Sequence, residues 1–301
     1  MRCPSARNLA NEPGLVSNTI VDQYINLANR ELFEDIVKTD ANWYERKIEI
    51  ALSTGDFRIT GIANQFNSKR IMDIWYEPAN SSGTSFRRLV FRPKIEFGFP
   101  PEETDALTNT GPIWYSVSHD DIILVPPAGE SGTLHLRYIR PWVPTAIGTI
   151  DSFPSSTQIT MNIATVSSGE VHTRQNVFSG GVVRLLDNTA YHGQEFNCTA
   201  TTVTPTQYIL TVSPAIPAAI APFGRAYVLP SVPEEYHESL AQYAAHTLYL
   251  MQRNVGMSNT FNGLYEANRE KLIQAISGRR RDGPDGIVYI YDPFDKPLVP
   301  W

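Results

Sequence analysis

Apolar residues at helical spacing open the chain. Val21, Tyr24, Ile25, Ala28, Leu32 and Ile36 fall on one face, which predicts an amphipathic helix over residues 17–38 with Arg30, Glu31, Glu34 and Asp35 on its wet side. The period then drops to two. Lys47-Ile48-Glu49-Ile50-Ala51-Leu52 alternates polar and apolar, Ser53-Thr54-Gly55-Asp56 reads as a turn, and strand character resumes at Phe57-Arg58-Ile59-Thr60. Segments 71–76, 87–91, 114–117, 121–125 and 133–138 extend the series, with Asn80-Ser81-Ser82-Gly83 as a further turn. Together they predict a small antiparallel sheet built from hairpins.

The composition shifts over residues 145–229. Thr, Ser, Val, Pro and Ala dominate there and charge is sparse, with Pro141 and Pro144 before the segment and Pro230 after it. Strands are expected over 158–163, 182–186, 195–202 and 207–212. The segment reads as a separate β module inserted into the chain and able to fold by itself.

Helical spacing returns at Ser231-Val232-Pro233-Glu234, which has the capping-box pattern with proline in the first turn. Tyr236, Leu240, Tyr243, Ala244, Thr247, Leu248 and Met251 form a stripe, Asn254-Val255-Gly256 a turn, and Phe261, Leu264, Tyr265, Leu272 and Ile276 the face of a second helix over 260–277. Gly278 sits where a left-handed cap ends such a helix. The chain closes on an arm, residues 282–301, in which Ile287, Tyr289, Tyr291, Phe294, Leu298 and Trp301 make a terminus too apolar and aromatic to lie in water. The expected class is α+β: an N-terminal helix and a small antiparallel β part (1–144), the inserted β module (145–229), a helical hairpin (230–281) and the extended arm (282–301).

Composition narrows the function. The chain has 301 residues and a net charge of −6, which argues against bulk electrostatic capture of nucleic acid. Arg279-Arg280-Arg281 is the one concentrated basic run. Two readings stand for it: a complement to the dipole of the preceding helix, or a contact with an acidic partner or a channel carrying DNA. Cys3 and Cys198 lack metal-ligand spacing and read as free thiols of a reducing compartment. The N-terminal residues lack the apolar core of a signal peptide, so the two glycosylation-type triplets at Asn80 and Asn197 are expected to be unused. No run approaches the roughly 20 apolar residues of a membrane span.

Catalytic patterns fail on inspection. His237-Glu238 begins a zinc-protease pattern, but Ala241 stands where the second histidine belongs. His119-Asp120-Asp121 suits a hairpin turn better than a metal site. Glu102-Glu103 and Glu234-Glu235 are adjacent in sequence, whereas glycosidase chemistry needs carboxylates facing each other across a cleft. No phosphate loop or nucleophile elbow occurs. The expectation is a non-enzymatic protein without cofactor or metal.

The order of segments carries a resemblance. Asn26-Leu27-Ala28-Asn29-Arg30-Glu31-Leu32 on the first helix precedes Tyr115-Ser116-Val117, Ile122-Ile123-Leu124-Val125-Pro126-Pro127 and Gly132-Thr133-Leu134-His135-Leu136-Arg137-Tyr138. Leu229-Pro230 then opens a helix with Tyr236 and Tyr243-Ala244-Ala245, followed by Tyr265-Glu266. Over about residues 15–140 and 230–277 this resembles the tailed-phage head-to-tail adaptor, or connector, family. The resemblance implies a structural virion protein in a dodecameric ring linking the portal protein to a tail nozzle or tail-tube protein, with viral DNA passing through the channel without sequence-specific binding. It implies assembly in the host cytoplasm, no membrane, no cofactor and no catalytic residues, and an arm reaching onto a neighbour. The segment with Gly180-Gly181-Val182-Val183-Arg184-Leu185 and Tyr208-Ile209-Leu210-Thr211-Val212 looks like a small β-barrel of other virion proteins, which the family pattern does not require. Alternatives are a tail accessory or fibre-attachment protein whose insert binds another tail protein or a glycan, and a peptidoglycan-cleaving tail enzyme.

Overall fold

The computed structural model describes residues 18–59, 71–79, 86–93, 111–118, 121–125, 127–166, 172, 175–187, 191–216 and 224–279. The class is α+β: among the described residues there are three helices, two four-stranded sheets that are antiparallel except where β5 pairs with β6, and a closed six-stranded barrel.

Helix α1 (Asn18–Thr39) buries Val21, Ala28, Leu32, Phe33 and Ile36. Asp35, expected in water, is also buried: Arg269 Nε donates to its Oδ2 at 2.7 Å. Asp40 caps a short 3-10 turn (Ala41–Tyr44) that delivers the Tyr44 ring onto Phe33, centroids 4.5 Å apart.

The β part is two four-stranded sheets around one core. In one, β1 (Glu45–Leu52), β8 (Gly132–Ile139), β3 (Ile71–Pro78) and β4 (Arg87–Arg88) lie in that order; in the other, β2 (Arg58–Ile59), β7 (Asp121–Val125), β6 (Trp114–Ser118) and β5 (Val90–Phe91). The hairpins expected from the alternation hold for β3–β4 and β6–β7. The turn at Ser53–Asp56 instead carries the chain from one sheet to the other, and β1 pairs along its whole length with β8. Ile74, Tyr76, Leu134 and Leu136 from one sheet meet Tyr115, Ile122 and Leu124 from the other. At the start of β8 a Cβ on Gly132 would lie 2.4 Å from the Glu77 carbonyl oxygen, so only glycine fits this close approach.

Strands β9 (Ala146–Ser155), β10 (Gln158–Asn162), β13 (Gln207–Ser213), β12 (Glu195–Val203), β11 (Val182–Leu186) and β14 (Arg225–Val228) close the barrel in that order. The four strands predicted within 145–229 are β10 to β13; β9 and β14 complete the ring. These two pair with each other, Ala146 opposite Val228, so the chain enters and leaves the barrel one strand spacing apart. Strict alternation on β11 and β13 turns Val183, Leu185, Tyr208, Leu210 and Val212 inward. Cys198 packs in this core as a free thiol, and burial pushes its pKa up to about 11.

A 3-10 turn (Glu234–Tyr236) precedes α2 (His237–Met251). The capping box does not form, because the Ser231 hydroxyl is engaged elsewhere and Pro233 holds the cap position without a side-chain bond. The interhelical turn falls at residues 252–254, with Arg253 at φ +59°, and Asn254 Oδ1 accepts the Met257 N–H at 3.2 Å. Helix α3 (Val255–Arg279) therefore begins earlier than its periodicity predicts and runs through Gly278. Tyr265, Leu272 and Ile276 pack on Leu240, Leu32 and Ile36, whereas Leu264 is exposed.

The layers join at two asparagines of α1. Asn26 Nδ2 donates to the Thr145 carbonyl (3.1 Å), and its Oδ1 accepts the Thr145 N–H (2.7 Å) and hydroxyl (2.9 Å). Asn29 Nδ2 donates to the Val143 carbonyl (3.1 Å), and its Oδ1 accepts the Ser231 N–H (3.0 Å). Ser231 Oγ bonds Val143 in turn, and Tyr44 donates to the Ser231 carbonyl. All of these groups are buried, so removing one partner strands its mates. Asn29→Ala is expected to cost about 1–3 kcal/mol, because the buried Ser231 N–H loses its acceptor while the Val143 carbonyl keeps the Ser231 hydroxyl. A urea unfolding midpoint that stays at the wild-type value would contradict this account.

Candidate assembly surfaces

The helical hairpin ends in an apolar tip. Leu240, Ala244 and Leu248 of α2 face the core, but Leu250 and Met251 fall beyond the stripe, and Val255 and Met257 open α3 beside them. These four side chains are 40–58 % exposed. Met251, expected within the stripe, meets only its edge, where the Tyr24 hydroxyl reaches its Sδ at 3.3 Å. The backbone under the tip is tied down. The Ser258 hydroxyl lies 2.9 Å from His246 Nδ1 and 3.1 Å from the His246 carbonyl, and Tyr249 stacks parallel to Phe261 at 5.6 Å.

A second exposed apolar group lies on the edge strand β5, where Val90 and Phe91 face water and the Val90 N–H bonds the carbonyl of the exposed Ile113. The outer face of the neighbouring sheet is ionic instead. Arg137 grips Glu45 with two bonds, at 2.6 and 2.7 Å, and reaches Asp73 at 3.3 Å; Arg88 bonds the other oxygen of Asp73. His135 stands between Glu77 (2.8 Å) and Glu49 (3.4 Å). The hydrogen bond and charge of Arg137 hold the Glu45 carboxyl below the usual range, against a smaller penalty from burial.

The residues singled out for chemistry do not converge. His237 is half-buried and its Nε2 donates to the Val232 carbonyl at 2.8 Å, while Glu234 joins Arg184 at 3.2 Å, so this helix start is packed rather than solvated. Ser258 and His246 have nucleophile-and-base distances, but Ser258 is 1 % exposed and serves the turn. Among the described residues no cluster of three metal-ligating side chains occurs, and no helix is long and apolar enough to cross a membrane. Arg279 ends α3, but its side chain, Arg280 and Arg281 lie outside the described residues. So do the arm residues Ile287, Tyr289, Tyr291, Phe294, Leu298 and Trp301, together with Cys3, Glu102, Glu103, His119 and Asp120. The apolar tip was not legible beforehand, because Met251 has the spacing of the core stripe and only the place where α2 stops exposes it.

Neither protein-family models nor curated proteins match the chain.

His237 provides a pH test. Burial holds its pKa below the ordinary 6.5, more than the Val232 carbonyl and Glu234 raise it. The unfolded chain therefore takes up a proton near pH 6.5 before the folded chain does. Its contribution to stability is present above that pH and falls as the pH drops toward the folded value. His237→Gln keeps the hydrogen bond and removes the titration. Its urea midpoint is expected to fall less than that of the wild type between pH 7.5 and pH 5.5; parallel falls would show that His237 does not carry this dependence.

Proposed function

We propose that the chain is a structural subunit of a tailed-phage virion, an adaptor that forms a ring between portal and tail and performs no catalysis. The observation that carries the reading is the exposed apolar tip on a braced helical hairpin. Large side chains are held in water on a rigid support, an arrangement that suits a repeated protein contact. The resemblance of the segment order to that of the adaptor family supplies the rest. A closed ring repeats one heterologous contact around its axis, and a stable contact buries about 1,600 Å², more than the tip alone offers, so neighbouring surfaces of α1 and α3 join it. The barrel, whose strands all find partners, projects a second surface toward tail or fibre proteins.

Electron microscopy of particles tests the proposal directly: the expected density is a ring on the portal axis, and a monomer elsewhere in the particle would overturn it. The double variant Leu250→Lys, Met251→Lys should stay within about 1 kcal/mol of wild-type stability, because both side chains are exposed and cations suit the C-terminal turn of a helix. It should fail to join the portal complex in a sedimentation assay. Incorporation at the wild-type level would remove the tip from the interface.

A further inference from the structure

Among the described residues, β1 is the longest strand at a sheet end, 8 residues against 2 for each of β2, β4 and β5. The Arg140 N–H bonds the Tyr44 carbonyl directly opposite it, in the register that pairs β1 with β8. Antiparallel pairs alternate between bonded and unbonded, so Arg46, Ile48, Ile50 and Leu52 direct their backbone groups to β8. The bond from the Ala79 N–H to the Ser131 carbonyl agrees, because it sets β3 on the alternate residues of β8, Thr133, His135 and Arg137. The N–H and C=O groups of Lys47, Glu49 and Ala51 therefore point away from the sheet, without a backbone partner among the described residues. Ile48 and Ile50 lean on the sandwich core but stay half-exposed. Lys47 and Glu49 stand on the outer face, 54 % and 58 % exposed and 3.0 Å apart.

A long open edge is ready for strand addition. Charges commonly guard such an edge, but here their alternation selects one register. Only registers that set residues 45, 47, 49 and 51 against one another bring the outward backbone groups together. Lys47 opposite Lys47, or Glu49 opposite Glu49, puts like charges face to face, which is destabilising. We propose that β1 pairs antiparallel with β1 of a second copy about a dyad at Ile48. Lys47 of each copy then lies opposite Glu49 of the other, and each such pair exchanges both of its main-chain bonds. On the inner face Ile48 meets Ile48, and the stem of Arg46 covers Ile50. The two four-stranded sheets become one continuous sheet. One strand pair buries less than the standard interface, so the dimer is weak, with a Kd on the order of micromolar. A contact about a dyad cannot repeat around a closed ring. The dimer is thus a form of the free chain that parts when a ring is built, and it does not rest on the proposed function.

The test is sedimentation equilibrium of the full-length chain across micromolar concentrations, where a monomer–dimer equilibrium is expected. Lys47→Glu and Glu49→Lys each set like charges across the dyad, and each alone should weaken dimerisation by about tenfold. Mixed in equal amounts, the two variants place opposite charges at both positions again and should dimerise with each other at wild-type strength. A merely destabilised fold would not give this rescue. Leu250→Lys, Met251→Lys should dimerise as the wild type does, which keeps this edge distinct from the hairpin tip. A wild-type chain that stays monomeric, single variants that dimerise as the wild type does, or a mixture no stronger than its components would overturn the proposal. So would a dimer that truncation after Arg281 abolishes, because the arm would then be the strand that takes the edge.

Discussion

Two carboxamides on one face of α1 hold the molecule together. Asn26 and Asn29, three positions apart and so neighbours on the helix, satisfy backbone groups of the two segments that run between sandwich, helices and barrel. Neither 143–145 nor 230–231 belongs to a sheet, so their buried N–H and C=O groups depend on such partners. Each amide offers one acceptor and two donors, and the structure uses both kinds at both positions. An amide, unlike a leucine, fits in one register only. Sliding α1 by one residue would leave the amides unpaired in the core, which makes the clamp a device of specificity as well as stability.

This clamp explains how the barrel is mounted. Entry and exit strands pair with each other, so the module meets the rest of the chain through two adjacent segments, both held by α1. The barrel closes on itself and has no open edge. The sandwich keeps β1, β4, β2 and β5 as sheet ends, with apolar side chains exposed on β5, and the hairpin keeps its apolar tip. Self-contained surface thus sits in the insert, and unsatisfied surface sits in the sandwich and helices.

Different forces secure the two faces of the sheet β1-β8-β3-β4. The inner face is apolar and shares its core with β2-β7-β6-β5. The outer face carries a run of alternating charges from Glu45 through Arg137 and Asp73 to Arg88. Exposed pairs of this kind contribute little each, but they cross three strand pairings. They favour this order of strands over others with the same apolar pattern.

Local periodicity was enough to determine the class of most described segments, although the strand expected over 87–91 is divided between two sheets. The alternation on β11 and β13 and the helical spacing of Ala28, Leu32 and Ile36 appear in the structure as barrel wall and helix core, because each depends on one residue's relation to its near neighbours. The barrel's first and last strands, Ala146–Ser155 and Arg225–Val228, fall within the segment that the change in composition set apart. What pairs with what was decided only in three dimensions. β1 finds β8 across the whole sandwich, Ser231 gives up its capping role to bond Val143, Asp35 leaves the wet face for Arg269, and Met251 leaves the core for the surface. Each outcome depends on a partner distant in the chain. Asn26 and Asn29 read as ordinary polar residues by spacing alone, and their roles arise from burial, which a linear pattern of polar and apolar positions does not encode.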